Sequence, residues 1–401
     1  MTLPKAVVFL GGSATEVEFI QTFQANDIRV VLVDRNARAP GREFADEFIH
    51  LSVTDAGAIC SALEPLRSQY RFVAAYGIVD FMFKTIRVLT ARLGIKPNAP
   101  EIYEEFTNKL KSKARFEAFG IPTPQMLAGG RQFENSALRQ IVAASRSGTV
   151  VVKAHDSCNS EGVRIVRIEN ADAVGEAIAH AIEISGEFLC EEYVDGTLHN
   201  LDVILSTAGA TIVAITDRYR MADGLNSLAG FQHNPRQHPL YAQFVRLAGE
   251  IRRMFADYYG PLTADILAAH GELSVLEVSP HLHASKLQWL RDPRILAVWP
   301  RILSGATPEL KTLSDSENAS AWVRIYGDEG AYHDYFEPSW IADAEAFPVP
   351  VHFGPYALRE ILYLRTNSAS LLKEHLETFV HENGGLSAKS ANHDRHLAAS
   401  Q

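Results

Sequence analysis

The sequence predicts an α/β protein that begins with a doubly wound parallel sheet and continues into antiparallel strands. Over residues 1–97, strand-length apolar runs alternate with helix-length segments, which is the pattern of a parallel sheet covered on both faces. Further along, strand-like segments are joined by glycine-containing turns, as in hairpins. The length of 401 residues is enough for about two or three domains.

The first domain is predicted to contain strands at 6–10, 29–33, 48–51 and 72–76, and helices at 14–26, 55–66 and 81–93. Gly11, Gly12 and Ser13 follow the first strand and Asp34 follows the second, an order that resembles a dinucleotide-binding fold. However, GGSATE is not GxGxxG, and one glycine pair after a strand is weak evidence for a nucleotide site. Asp34 is also explained as the cap of a turn.

The composition argues against several classes of protein. The formal net charge is −10, whereas surfaces for nucleic acid or anionic membranes usually carry basic stripes. The apolar run at 6–10 has strand length and ends in glycines, so we expect no leader, and no apolar stretch approaches the roughly 18 residues of a membrane span. Cys60, Cys158 and Cys190 have no metal-ligand spacing, which favours a reducing cytoplasm.

The central part of the chain has a mixed pattern. We expect helices at 101–119, 171–184 and 241–258, strands at 149–153, 163–168 and 188–193, and a hairpin of 199–206 with 210–217. The first helix carries a short basic run that is interpreted mostly as a solvated face, namely Lys109, Lys111, Lys113 and Arg115. Residues 218–239 contain too many turn formers for regular structure and are predicted to be a loop or lid facing the substrate.

A hairpin at 262–283 carries two acidic residues that its pattern places face to face. Its strands, 262–267 and 273–278, flank a turn around Gly271, so Asp265 and Glu277 lie opposite each other. Directly opposed side chains have Cβ atoms roughly 5 Å apart, and like charges there repel. Two buried carboxylates at that distance need a proton or a cation, such as Mg²⁺, between them. A solvated hairpin with both acids in water is the alternative that the pattern leaves open.

The remainder of the chain is predicted to end in a small β-rich unit. Residues 289–305 have a mixed pattern, and a break follows at 313–318. Strands are expected at 322–326, 349–352 and 359–365, with a helix at 369–381. The last residues, 383–401, are polar and weakly patterned, and we expect them to be frayed.

Four motifs occur in a fixed order along the chain. Asn108 and Lys109 precede the segment GIPTP, and a strand ending in Lys153 opens a Gly/Ser loop. Another strand ends in EEYVDG (191–196), and the two-acid hairpin ends in EVSPHLH (277–283). Together these motifs resemble the ATP-grasp superfamily, including the Rossmann-like domain that usually precedes the grasp. The resemblance covers nearly the whole chain, and the ordered set carries it because each motif alone is weak.

The resemblance implies how the chain is divided. A preATP-grasp Rossmann-like domain is expected at 1–97, and the α+β ATP-grasp domain at 98–310 with a small lid subdomain at about 124–190. A C-terminal β-rich unit is expected at 311–382, followed by a flexible tail at 383–401.

The resemblance also implies a site for ATP and a metal. Lys109 and Lys153 match the phosphate-binding lysines. The phosphate lid is matched by Ser157, Ser160 and Gly162. The adenine-binding segment is matched by Glu191, Glu192 and Val194. Asp265 and Glu277, with Ser279, match the ligands of Mg²⁺, for which Mn²⁺ is an expected substitute. That metal would bridge the phosphates and neutralise charge as the γ-phosphoryl group moves.

Three residues at the end of the hairpin depart from the family pattern or select a branch of it. Ser279 stands where the family usually has Asn, and is a poorer metal ligand. His281 replaces an Arg that steadies the substrate anion, and a neutral imidazole carries no fixed charge. His283 fits the PRPH-like variant of formate-using and carboxylating members. We place His281 and His283 in the catalytic set.

Other candidate residues are assigned more simply. The family's ribose-binding acid is missing, because Leu198 stands in its place. His199, Asn200 and Asp202 are possible substitutes, and we assign His199 to cofactor binding. Family members often bind a substrate carboxylate at the positions of Arg218, Arg220, His233 and Arg236. The alternative is that these residues belong to a solvated surface loop. Arg220 joins the catalytic set. Cys158 is interpreted as a small loop residue, and Asp156 and Asp217 as turn and cap residues.

The implied activity is that of an ATP-dependent carboxylate–amine ligase. A carboxylic acid becomes an acyl phosphate, which an amine attacks to give an amide, ADP and phosphate without a protein nucleophile. Amino-acid, peptide or natural-product substrates are expected, because the loop at 218–239 and the terminal β-rich unit resemble those of dipeptide and natural-product ligases. The expected partners are these small molecules, with no nucleic acid or membrane, and a homodimer, which is common in the superfamily although no residue pattern shows an interface.

Three alternatives stay open. His283 suggests a carboxylating or formate-using ligase of the purine-pathway type. The GGS turn and Asp34 suggest an NAD-dependent dehydrogenase. Leu198, Ser279 and His281 suggest a regulator that binds nucleotide without turnover. The sequence does not identify the acid, the amine or the pathway.

Overall fold

The computed structural model describes residues 2–133, 135–158, 160–221, 224–283, 285–306, 318–326, 341, 343–353 and 356–383. The predicted break at 313–318 and the predicted tail at 383–401 fall almost entirely outside these residues. Among the helices of the described ranges, none has both the length and the apolar character needed to cross a membrane.

A parallel sheet opens the chain, as predicted. Its strands are β1 Lys5–Leu10, β2 Ile28–Val33, β3 Glu47–Ile49 and β4 Arg71–Tyr76, and its helices are α1 Val17–Gln24, α2 Ala56–Leu63 and α3 Phe83–Leu93. The strands are ordered β3-β2-β1-β4 and all pair in parallel. Residues 6–10 are completely buried, because both faces of a parallel sheet are covered.

The prediction of one helix at 101–119 is wrong, because two helices occupy this segment. They are α4 Ile102–Thr107 and α5 Lys109–Phe119. Asn108 separates them with an extended backbone, and its side chain accepts the N–H of Lys111 at 3.1 Å. Asn is a favourable N-cap residue, and its cap starts a new helix here. Lys109 therefore occupies the first position of α5.

A second, antiparallel sheet lies within the range 124–190. Its elements are β5 Met126–Gly130, α6 Asn135–Ala144, β6 Thr149–Ala154, β7 Arg164–Arg167, α7 Ala171–Ser185 and β8 Phe188–Glu192. The strands are ordered β5-β8-β6-β7. The sequence did not predict β5 or α6, since Met126–Gly130 contains two glycines and lacks β-branched residues.

The largest sheet is antiparallel and extends to the last described strand. Its strands are β9 Thr197–Ser206, β10 Gly209–Arg220, β11 Ser227–His233, β12 Gly260–Ala269, β13 Glu272–Ser279, β14 Ala319–Tyr326, β15 Asp343–Phe353 and β16 Tyr356–Thr366. Their order is β13-β12-β9-β10-β11-β14-β16-β15. The accompanying helices are α8 Tyr241–Met254, α9 Ser285–Arg291, α10 Val298–Ser304 and α11 Ala369–Asn383. The C-terminal strands thus continue this sheet, because β14 pairs with β11.

The prediction of an irregular loop at 218–239 is wrong for much of that segment. Strand β10 continues to Arg220, and β11 occupies Ser227–His233. The polar and small residues that resemble turn formers are buried in the sheet: Gln232 has no exposed surface, and the indole of Trp322 packs against Gly230. Their partner strand β14 is distant in sequence, so local composition did not reveal it.

Candidate active site

A cleft of about 470 Å³ opens where the segment after β4, the antiparallel sheet of β5 to β8 and the largest sheet meet. The predicted site residues that line it are Lys109, Lys153, Ser157, Ser160, Glu191, Glu192, Val194, Arg220, Asp265, Glu277, Ser279, His281 and His283. Two predicted residues do not line it, Gly162 and His199. Lining residues that the prediction omitted include Asp80, Asn226, Trp322, Arg324 and Tyr363.

Both residues of the acid pair, Asp265 and Glu277, line this cleft. Strands β12 and β13 place Asp265 opposite Glu277, as predicted, and the turn has positive φ at His270 (53°) and Gly271 (83°), as in a tight two-residue hairpin. Each acid contacts a cation: Glu277 Oε1 lies 2.8 Å from Lys109 Nζ, and Asp265 Oδ2 lies 2.7 Å from Arg218 Nη1. Burial raises the pKa of Glu277, and Lys109 opposes this rise only in part.

Asn200 completes a set of oxygen atoms next to the acids. It lies on β9 as the register partner of Asp265, and its Nδ2 donates a hydrogen bond to Asp265 Oδ1. Its Oδ1 is buried and has no hydrogen-bond partner among the described residues. An unpartnered amide oxygen beside two carboxylates suits a hard cation such as Mg²⁺. Strand alternation was the signal for Asn200, because it shares a face with Leu198 rather than His199.

Lys109 connects the acid pair to the loop at 155–162. Its ammonium group donates to the carbonyl of Ser157 at 2.7 Å, and its backbone N–H donates to the carbonyl of His155 at 2.9 Å. Burial lowers the pKa of Lys109, but Glu277 and Asp80 more than offset this effect, so the pKa is raised. Lys109 is therefore a fixed positive charge facing the cleft.

The loop at 155–162 positions small polar groups at the cleft edge. Ser157 Oγ donates to the carbonyl of Glu161 at 2.8 Å, and Ser160 has a positive φ of 59°. Gly162 packs instead against Ala154 and Ile184, where a side chain would collide. Burial raises the pKa of the Cys158 thiol, so a protonated, weakly nucleophilic thiol is expected there.

The residues of the predicted adenine segment have different surroundings. The carboxylate of Glu191 is buried and contacts two lysines, Lys113 and Lys153. Lys113 is 2% exposed, so a solvated helix face is the wrong interpretation for this residue. The carboxylate of Glu192 instead accepts the N–H of Ser147 at 2.6 Å and that of Arg146 at 3.1 Å. These bonds anchor the turn before β6.

The two histidines of the hairpin end have opposite electrostatic surroundings. The ring of His281 is stacked on Phe83, and its Nε2 lies 3.6 Å from Asp80 Oδ1. Burial lowers the pKa of His281, but Asp80 reverses this effect, so the pKa is raised. The pKa of His283 is well below its usual value because of burial, Arg218 and other cations. The cleft thus offers one imidazole that favours charge and one that is neutral.

The arginines of β10 face the cleft, not solvent. Arg218 Nε donates to Ser227 Oγ at 2.9 Å while its guanidinium contacts Asp265. Arg220 Nη2 donates to the carbonyl of Gly196 at 2.7 Å. Arg236 is exposed in the short 3₁₀ turn 235–237 and does not line the cleft.

Asp217 is the centre of a histidine cluster on the opposite side of the sheet, so its interpretation as a cap residue is wrong. Its oxygens lie 2.8 Å from His199 Nδ1, 2.7 Å from His233 Nε2 and 3.0 Å from His238 Nε2. His238 Nδ1 accepts the N–H of Leu240 at 3.0 Å. In the neutral ring the proton then sits on Nε2 and is donated to Asp217. His238 therefore has no lone pair for a metal, and the cluster is a hydrogen-bonded one.

The glycine turn after β1 does not suit a dinucleotide. Asp34 Oδ2 accepts the N–H of Gly12 at 2.8 Å, and Glu16 Oε2 accepts the N–H of Ser13 at 2.6 Å. Both N–H groups would have to bind pyrophosphate in a dinucleotide fold. Because Asp34 and Glu16 already occupy these donors, the turn argues against the NAD alternative.

Comparisons with known proteins identify an ATP-grasp domain in this part of the chain. Residues 106–285 match the family model described as an ATP-grasp domain. A 3-methyl-D-ornithine–L-lysine ligase of Methanosarcina acetivorans is 27% identical over 205 residues, which cover 50% of this chain and 47% of that ligase. The match thus spans about half the length of this curated relative.

Solved structures share the fold over nearly the whole chain. An N5-carboxyaminoimidazole ribonucleotide synthetase in complex with ADP has a TM-score of 0.73 at 15% identity, covering 94% of this chain and 97% of that one. An L-amino acid ligase from Bacillus licheniformis has a TM-score of 0.70 at 12% identity, covering 95% and 97%. The predicted nucleotide and metal residues, from Lys109 to Ser279, all lie within the matched range. Residues 106–285 thus match an ATP-grasp domain, and the chain has the fold of these solved structures over nearly its whole length.

Proposed function

We propose that this protein is an ATP-dependent ligase that activates a carboxylic acid as an acyl phosphate and joins it to an amine. The observation that carries the proposal is the set of charges in the cleft of an ATP-grasp domain. Lys109 and Lys153 line this cleft together with the acid pair Asp265 and Glu277. Lysines bind phosphate oxygens as point charges, and paired carboxylates hold the cation that accompanies ATP.

In this proposal the protein contributes position and charge. Lys109 and Lys153 hold phosphate oxygens, and the small loop residues Ser157 and Ser160 leave room for them at the cleft edge. Asp265, Glu277 and Asn200 would hold Mg²⁺, which supplies charge neutralisation when bound. The substrate carboxylate attacks the γ-phosphorus, ADP leaves, and the amine then displaces phosphate from the acyl carbon. No protein nucleophile is required, because orientation and exclusion of water suffice.

We place the carboxylic acid beside the arginines of the cleft. Arg218, Arg220 and Arg324 line the cleft, and so does Trp322. Arg324 lies over the Trp322 ring at 5.1 Å from its centroid. Guanidinium groups suit carboxylates and acyl phosphates through paired hydrogen bonds. The relatives named as amino-acid ligases support an amino-acid or peptide-like acid.

The test is phosphate release from Mg·ATP over a panel of carboxylic acids crossed with amines. At least one pair should stimulate release and form an amide with equimolar ADP. Glu277→Gln should abolish stimulated release and weaken Mg·ATP binding measured by calorimetry. If no pair stimulates release and Glu277→Gln binds Mg·ATP as tightly as the unchanged protein, the ligase proposal is wrong.

A carboxylating ligase is the second candidate. His283 is retained in the cleft with a lowered pKa, and an N5-carboxyaminoimidazole ribonucleotide synthetase has the same fold. ADP release that depends on bicarbonate or formate, together with an amine, would favour this candidate over the amino-acid ligase. Amide formation without either one-carbon acid would exclude it.

A further inference from the structure

Lys113 belongs to none of the four motifs, yet it is buried beside the nucleotide cleft. It lies one turn after Lys109 on α5, so both lysines project from the same helix face. Its ammonium group contacts Thr123 Oγ1 at 2.7 Å, the carbonyl of Pro124 and Glu191 Oε1. An ammonium group has three N–H donors. All three are therefore used by the protein, and Lys113 has none for a ligand.

Lys113 shares Glu191 with a second lysine. Glu191 Oε1 contacts Lys113 and Oε2 contacts Lys153, and the Glu191 side chain is 2% exposed. Lys153 is the more exposed of the two lysines, at 14%, and it lines the cleft. Of the two lysine ammonium groups that contact Glu191, that of Lys153 is consequently the one that a phosphate can reach.

The charge of the three residues depends on Lys113. Two lysines and one glutamate, all ionised, sum to +1. Without Lys113 the sum is zero, because Glu191 then neutralises Lys153 completely. Charges in contact at a buried site interact far more strongly than in water. Lys113 therefore determines how much positive charge Lys153 presents to the cleft.

We propose that Lys113 is a positioning residue for nucleotide binding, which neutralises Glu191 so that Lys153 keeps its charge for the phosphates of ATP. This inference rests on the proposed function, since it places ATP in this cleft. Lys113 acts through Glu191 and Lys153 and does not itself touch the nucleotide. Its effect should therefore disappear when the charge of Glu191 is removed.

The test is a calorimetric titration of the full-length protein with Mg·ATP, using Lys113→Met, Glu191→Gln and the double variant. Lys113→Met should raise the Kd about ten- to a hundredfold, the range of one charge-assisted hydrogen bond. The double variant again carries +1 and should recover most of that loss. If Lys113 merely supports the fold, the double variant should bind Mg·ATP as weakly as Lys113→Met or more weakly. That order would overturn the inference.

A matched control is present on the same helix. Lys111 is exposed and pairs with Glu104 at 2.6 Å, so Lys111→Met should leave the Kd for Mg·ATP unchanged. If Lys113→Met fails to fold by thermal unfolding, the double variant alone decides: a Kd near that of the unchanged protein supports the inference, and a large loss contradicts it. Absence of Mg·ATP binding by the unchanged protein would refute the proposed function instead.

Discussion

Asn200 shows how one amide can serve two roles at the cleft. Its Nδ2 donates a hydrogen bond to Asp265, while its buried Oδ1 has no hydrogen-bond partner among the described residues and would be available to a cation held by the acids. Asn200→Leu keeps the approximate volume but removes both roles. We expect the Mg²⁺ concentration for half-maximal phosphate release to rise about tenfold, as for other residues that orient metal ligands.

The control for Asn200 lies on the same strand. Thr197 contacts His199 Nε2 at 2.9 Å on the opposite face of β9, so Thr197→Val should leave the Mg²⁺ requirement unchanged. Titration of Mg²⁺ at fixed ATP measures both variants. Equal Mg²⁺ requirements in Asn200→Leu and the unchanged protein would show that the amide is structural.

Glu16 is a buried acid whose effect on stability depends on pH. Burial raises its pKa from 4.5 to about 7. Between these values the unfolded chain loses a proton that the folded chain retains, so the free energy of unfolding falls as pH rises through this window. Glu16→Gln, which stays neutral, should be more stable than the unchanged protein above pH 7 by about 3 kcal/mol. The two should be equal below about pH 4.5.

Urea unfolding at several pH values measures this difference. The glutamine can still accept the N–H of Ser13 through its carbonyl oxygen, so the turn geometry is kept. A stability difference that does not change with pH would contradict the assignment of the raised pKa to Glu16.

At the scale of elements, Asp217 joins strands β9, β10 and β11 through three histidines. These hydrogen bonds hold the pKa of Asp217 well below its usual range, despite burial. Its carboxylate is therefore charged, and it stabilises the fold, at every pH above mildly acidic values. Asp217→Ala should lower the free energy of unfolding by about 3 kcal/mol or more, because buried partners lose a charged acceptor.

Asp156 provides the matched comparison, since its sequence context also suggested a turn residue. It pairs with Lys84 at 2.6 Å, and the lysine side chain is 66% exposed. Such pairs contribute about 0–1 kcal/mol, so Asp156→Ala should be nearly neutral in the same urea unfolding measurement. A similar loss of unfolding free energy in both variants would show that the histidine cluster does not stabilise the fold more than an exposed ion pair does.

The sequence was informative where structure is local. The alternating strands and helices, the β12–β13 hairpin and the facing of Asp265 and Glu277 all follow from neighbouring residues. Burial and pairing across the fold were not predictable in this way. Lys113 resembles a solvated helix residue until Glu191 is placed beside it, and Asp217 resembles a cap until three histidines surround it. His199 was chosen over Asn200 although a strand can direct only one of them to the cleft.

At the scale of the whole molecule, the C-terminal strands complete the cleft. Trp322 and Arg324 on β14 and Tyr363 on β16 line the cleft. The pairing of β14 with β11 brings them there, and it places Gly230 opposite Trp322. In the proposed function these residues belong to the acid end, the part of the cleft that holds the carboxylic acid, so a change on β14 should affect acid binding more than ATP binding.

Gly230 allows this separation to be tested. A Cβ at Gly230 would collide with the Trp322 indole, so Gly230→Ala should displace Trp322 and lower stability by about 1–3 kcal/mol. We expect the KM for the carboxylic acid to rise while the Kd for Mg·ATP, set by Lys109 and Lys153, stays the same. Gly249→Ala is the control, because Gly249 lies on α8 with no atom within 4 Å of an added Cβ. Equal weakening of acid and ATP binding in Gly230→Ala would mean that β14 supports the whole cleft rather than its acid end.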